Sequence, residues 1–423
     1  MRSTILALCA ASALAGCDLS SAQSQTAPAA VPGRYAAAGA WTPAAEVVPG
    51  SREETCPLYQ NPALVRRGDA VLATWLARSG SDEGVFHWAE LRPGATAWTA
   101  PRPIHGEARS YFQDGQAQLA SLSDGTVVAF WLHPVNTSER RLMTAALPPG
   151  ADTWTAPAPA PDPSSQHIRA AGGPDDVLHA AWSARGGPFY ARRTPDGAWT
   201  AAEPMRDFLS RMVSVEMTGG PSPRQTSTSC GSPMIAAAPD GSVMVAWWDN
   251  QFTLSAIGDG ERDLMWRVRA PDGRWSPSRR LETARSGEGQ HSALGADAAG
   301  FVLLYAGEGR RPHMTRLAYR SDRWSAAQAL GSGRMFEGAL SPAGGGALLG
   351  HWREFQPRQD ARFALAGSDG QGGFAALSSP PNRGFDLFAH AAAADGAGRS
   401  VALFDDPEEP QGCAGLAWSA TTG

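Results

Sequence analysis

Seven positions of this 423-residue chain, each fifteen residues before a recurring aromatic, are rich in groups that do chemistry: Gln60, Gln116, His167, Ser232, Gln290, Glu337 and Ala389. His291 and His390 stand one position further on, and Tyr59, Gln166 and Phe336 one position back. Amide, imidazole and carboxylate groups beside aromatics supply donors, acceptors and apolar faces together, a set that suits neutral, hydroxyl-rich ligands. The plainer reading is a solvated rim holding ordered water. Glu337 is the candidate general acid or base, with Tyr59 or His167 as its partner. A second row holds Arg78, Arg185 and Arg353 with His133, Asp249, Glu308 and Asp406. Three arginines could clamp an anionic sugar bidentately, or lie as solvated loop residues.

Both rows need a repeated scaffold to bring them to one place. Trp41, Trp98, Trp154, Trp199, Trp275, Trp324 and, in weakened form, Phe374 mark that repeat, and Ser or Thr follows each of the tryptophans. The marks are 45 to 76 residues apart, the length of one four-stranded propeller blade with its loops. Between marks the pattern is hairpin grammar: Gln116 to Gly125 leads into Thr126-Val-Val-Ala-Phe-Trp131, and Ser232 to Gly241 into Ser242-Val-Met-Val-Ala-Trp247. The aromatics closing these second strands, Trp75, Trp131, Trp182, Trp247, Tyr305, Trp352 and Phe404, read as core packed between blades. The chain is therefore predicted to be all-β, a seven-bladed β-propeller. After Phe374 only three strands remain, so the stretch Ala40 to Ala45 is expected to supply the fourth strand of the last blade and close the ring.

Ahead of the propeller, Arg2 precedes a short apolar run from Ile5 to Ala15. The run is too short to span a bilayer and has the layout of a secretory signal. Leu14-Ala15-Gly16-Cys17 resembles the bacterial lipobox, which implies cleavage before Cys17, a lipid on its sulfur, and a protein anchored in the cell envelope outside the cytoplasm. The expected organisation is a lipoprotein signal peptide at 1–16, a lipidated cysteine and flexible tether at 17–38, and the propeller at 39–423. Every one of the 36 basic residues is Arg, so Schiff-base lysine chemistry and a phosphate-loop lysine are excluded. A net charge of −5 with scattered arginines argues against nucleic acid as a partner. No metal-ligand spacing or cofactor fingerprint is present, so no metal and no cofactor is expected. Cys56 and Cys413 should both lie near the ring closure, where a disulfide would staple the chain ends and leave Cys230 free; Cys56 to Cys230 is the lesser alternative.

Thr194-Pro-Asp-Gly-Ala-Trp199 and Ala270-Pro-Asp-Gly-Arg-Trp275 resemble the Asp-box of sialidase-like, or BNR-repeat, propellers, although Asp and Gly adjoin here where the family box has one residue between them. The resemblance implies a glycan-handling scaffold. Seven-bladed lyases of the BNR type use a His and a Tyr, for which His133, His167 and His291 are the candidate bases in this chain. The expected function is recognition of a glycan or an envelope protein at the channel mouth, by a monomer held at the membrane through its N-terminal lipid. The alternatives are a sialidase-like glycosidase or polysaccharide lyase, and a non-catalytic scaffold for envelope assembly. The insertion from Pro204 to Cys230 falls on the mouth face, as a lid or a surface excursion.

Overall fold

The computed structural model describes residues 40–48, 59–78, 83–111, 117–136, 139–162, 167–184, 187–205, 233–250, 262–285, 292–319, 321–343, 346–355, 362–370, 372–380, 390–406 and 415–421. Within them the chain is all-β and forms seven sheets, the blades of a propeller. The first strands of the blades are Tyr59–Arg67, Gln118–Ser121, His167–Gly172, Met234–Ala237, Ala293–Ala296, Arg334–Pro342 and His390–Ala394. Each touches the first strand of the next blade, and the last returns to Tyr59–Arg67, so these seven strands encircle a central channel. Blade 1 carries an additional strand, Arg109–Tyr111, paired to the mouth end of its third strand, which the sequence pattern does not announce.

The ring closes with the N-terminal segment as expected, but the paired strand begins at Ala45, where the expected stretch ends. Blade 7 consists of His390–Ala394, Ser400–Asp406 and Gly415–Ala420, and its outer strand is Ala45–Val48 from the start of the described chain. Trp41 pairs with Thr421, and Ala45 with Trp418. Thr42 fastens the join: its N–H donates to the Ala420 carbonyl at 2.8 Å, and its own carbonyl accepts from the Ser419 hydroxyl at 2.7 Å.

The second strands are apolar along their whole length because a neighbouring blade covers each face, as in sheets buried on both sides. Val127 to Trp131, Val243 to Trp248 and Gly300 to Ala306 are buried at every position. The hydrophobic core is accordingly divided into seven clusters, each shared by two adjacent blades. Six of the closing aromatics are fully buried in these clusters, and Phe404 packs against the cluster of blades 6 and 7. The hairpins that feed the second strands use Gly125 and Gly241 at positive φ, while Asp124 and Asp240 accept the N–H groups of Thr126 and Ser242.

The Trp-Ser/Thr mark has a specific job. In blade 2 the Ala146 N–H donates to the Thr155 hydroxyl at 2.9 Å, while the Thr155 N–H donates to the Ala146 carbonyl at 2.8 Å. The next pair is Ala158 with Thr144, so the fourth strand spends one residue more than the third at this point. That is a β-bulge, and it withdraws the carbonyl that would have accepted the third-strand N–H. The hydroxyl replaces it. Thr99 on Glu90, Thr200 on Arg192, Ser276 on Val268, Ser325 on Arg316 and Thr42 on Ala420 repeat the arrangement. Blade 6 lacks both parts: Ala375 pairs with Gly367 and Leu377 with Leu365 without an extra residue, and no hydroxyl is needed. The aromatic of each mark meets the preceding blade, Trp154 edge-on to Trp88 and Trp98 edge-on to Trp418.

A buried ion pair of blade 5 also binds blade 6. Asp297 takes Arg316 and the Ser368 hydroxyl on one carboxylate oxygen and the N–H groups of Ala299 and Gly300 on the other. The Arg316 guanidinium lies 4.7 Å from the centre of the Phe374 ring.

Candidate functional site

The mouth is the end of the ring where the first strands begin. Tyr59 and Gln60 open the first strand of blade 1, and His167 opens that of blade 3, each described here by its backbone position. Arg78 likewise ends the second strand of blade 1. Gln116, Arg185, Gln290 and His291 lie outside the described residues, as do Cys17, Cys56, Cys230, Cys413 and the insertion from 206 onward. His133 sits half-buried in the second strand of blade 2.

Blade 6 carries the part of the mouth with full side-chain detail. Its first strand pairs regularly with the second on either side of a bulge between Phe336 and Ala339. Glu337 occupies that bulge at a φ of 53°, a left-handed conformation that costs a residue with a Cβ about 1–2 kcal/mol. A bulge re-aims the side chain it carries. Here it brings the Glu337 carboxylate within 3.4 Å of Arg353 Nη2, with Glu337 48% and Arg353 15% exposed.

Arg353 is held by aromatics. Its guanidinium carbon lies 5.2 Å from the centre of the Phe355 ring and 5.8 Å from that of Phe336, and these two rings meet edge-on at 4.9 Å. His351, Arg353 and Phe355 alternate along the second strand and so share one of its faces. His351 reaches blade 7, where its ring lies 5.3 Å from that of His390, and Phe363 packs against both.

The electrostatics follow from burial. Desolvation pushes the Glu337 carboxyl above its ordinary range, and the charge of Arg353 pulls it partly back. Burial lowers His351 to about 3. His390 is driven well below its usual value by burial first, then by His351 and Arg353, with the Glu337 backbone acting in the other direction. Behind a half-exposed carboxylate and its arginine, then, lie two neutral imidazoles. The arrangement can accept and donate hydrogen bonds to hydroxyl groups and present apolar ring faces, and Glu337 can hold or release a proton at its carboxylate oxygen.

Sequence reasoning assigned Glu337 and Arg353 to different rows; the fold makes them one pair. Arg353 is committed within its own blade. His351, Phe355 and Phe363 were not singled out, although the alternating His-x-Arg-x-Phe pattern of one strand is a signal that could have found the first two. Among the described residues no group of His, Cys, Asp and Glu side chains could hold a metal ion.

The fold and the mouth define a class: a seven-bladed β-propeller with a carboxylate–guanidinium pair set among aromatics at one end of its channel. No protein-family model and no curated protein matches the sequence. Among solved structures the chain is similar to an ulvan lyase of polysaccharide lyase family PL25, at 11% identity over 88% of this chain and 94% of that one, with a TM-score of 0.54. It is also similar to a fungal alcohol oxidase of the AA5 family in complex with copper, at 12% identity over 90% of this chain and 76% of that one, with a TM-score of 0.51. A leech intramolecular trans-sialidase is matched at 10% identity over 74% and 68%, with a TM-score of 0.47. These are likenesses of fold.

Proposed function

We propose that the mouth at blade 6 binds a saccharide. The observation that carries this reading is Glu337, placed by a left-handed bulge against Arg353 between two phenylalanine rings. A carboxylate accepts from vicinal hydroxyls, a guanidinium donates to ring and hydroxyl oxygens, and an aromatic face covers the apolar side of a pyranose. With the lipobox-like segment ending at Cys17, the reading is of a lipid-anchored envelope protein that displays this mouth to a glycan.

A second reading, cleavage of a polysaccharide by elimination, is favoured by one observation: the likeness to the ulvan lyase spans 94% of that enzyme, which has also been solved bound to GlcA(1-4)Rha3S. In it Glu337, its carboxyl raised by desolvation, would exchange the proton.

One experiment separates these. The full chain and its Glu337→Gln and Arg353→Gln variants are titrated calorimetrically against a glycan panel that includes ulvan oligosaccharides, while unsaturated product is followed by ultraviolet absorbance. Binding that weakens by about 10- to 100-fold in both variants, without product, supports recognition. Product formed by the wild type and lost in Glu337→Gln supports the lyase. Absence of binding to every glycan refutes both and leaves a protein partner, to be sought by crosslinking in the envelope.

A further inference from the structure

One of the strands that line the channel carries an exposed arginine. Arg169 is the third residue of the first strand of blade 3, and its strand partner is Ala181. Ile168 and Ala170 on either side of it pack toward blade 2, and Ala171 toward blade 4. Arg169 is exposed. Neighbouring first strands flank its own on both sides, so the water that reaches it is the water of the lumen.

The register of the strands shows what surrounds it. One residue inward from the level of the closing aromatics, the other six blades present Ala63, Gln118, Met234, Ala293, Ala339 and Ala391. Four of these are alanines, whose side chains take little room, and Ala391 and Met234 are buried. Gln118, half-buried on the adjacent blade 2, is the other polar group of the tier. Among the described residues, Arg169 makes one hydrogen bond, from Nη1 to the Ile168 carbonyl at 3.1 Å, and pairs with no carboxylate. Four of its five N–H donors are thus left for a ligand. Partial desolvation by the surrounding strands also lowers the guanidinium below its ordinary range.

We propose that Arg169, with Gln118 at the same level of the neighbouring blade, forms an anion site in the channel that takes the carboxylate or sulfate group of an acidic saccharide entering from the mouth. The proposal rests on the saccharide reading of the mouth and narrows it to acidic sugars. An unpaired guanidinium in a confined, partly desolvated space gains most from an anion that offers two oxygens in its plane. The small alanines of this level leave such a group room beside the guanidinium.

The test uses the full chain, Arg169→Gln, and Gln118→Glu, which leaves the arginine in place and supplies it with an internal counter-ion. Two probes are titrated: inorganic sulfate, read as the rise in Tm, and tetragalacturonate against the same tetramer with its carboxyls reduced to hydroxymethyl groups, read by calorimetry. Sulfate stabilises most folds by exclusion from their surface, so the readout is the excess of the wild type over the variants. The expected result is an excess Tm rise in the wild type, together with a preference for the acidic tetramer of about tenfold or more that vanishes in both variants. An equal sulfate response in all three proteins, or an acidic preference that survives both substitutions, overturns the channel site. If neither tetramer binds while the sulfate excess is lost in both variants, the channel site stands and the saccharide reading of the mouth falls. If both tetramers bind equally well to all three proteins, the mouth reading stands and the channel site falls.

Discussion

Acidification should unfold this propeller well above the range in which its carboxylates titrate, because three histidines are buried neutral. Besides the His351–His390 pair, His179 in blade 3 bonds the Tyr190 hydroxyl through Nδ1 at 2.8 Å. Burial, with smaller contributions from Arg269 and Arg192, lowers it to about 4. His351 falls to about 3 and His390 well below its usual value. In the unfolded chain each titrates near 6.5. Between that value and the folded one, the unfolded state binds the proton and the folded state does not, so stability is full above about pH 7 and declines as pH falls. From pH 7 to pH 5 an unfolded histidine with a pKa of about 6.5 gains about 2 kcal/mol of protonation free energy that a ring still neutral at pH 5 forgoes. Three such rings cost about 5–6 kcal/mol, comparable with the whole stability of many domains. Where below 5 each folded value lies makes little difference to this figure. Glu337, raised rather than lowered, works in the opposite direction, and its half-exposed position keeps its share smaller. Urea unfolding at pH 7, 6 and 5 measures the loss, and His351→Phe or His390→Phe should each remove about a third of it. A free energy of unfolding that is flat over this window, or a loss that neither variant reduces, would refute the reasoning.

Two further outcomes test the packing account. Thr155→Val keeps the volume of the side chain but leaves the Ala146 N–H without its acceptor, which should cost about 1–3 kcal/mol in urea unfolding; Ala375→Thr in blade 6, where no bulge exists, should bring no gain. Asp297→Asn leaves Arg316 buried without its counter-charge and should cost about 3–5 kcal/mol, seen as a lowered urea midpoint.

The repeat was legible in the sequence because a buried Trp, a positive-φ glycine and a continuous apolar strand each leave a residue-type signature at fixed spacing. Ring closure was legible for a different reason: the last blade lacked a marked fourth strand, and a spare one stood at Trp41. The role of the hydroxyl after each Trp was not, since a bulge is a difference in residue count between two strands and appears only when their register is known. The same blindness affected the mouth. Counting fifteen residues back assumes regular strands, and the bulge at Glu337 breaks that assumption while producing the contact with Arg353. Arg169 is illegible for a related reason: it stands two residues inward of the polar row at His167, on a level where the sequence shows mostly alanine. The Asp297–Arg316 pair spans 19 residues with no local pattern to betray it.

The route by which the chain joins blade 7 has a consequence for orientation. Gly415–Ala420 descends from the mouth to the far face of the ring, and Trp41 lies beside Thr421 at the bottom of that descent. Residue 40 therefore enters the ring on the face opposite the mouth. Under the proposed attachment through Cys17, the opening would face away from the anchoring surface, like a cup standing on its base.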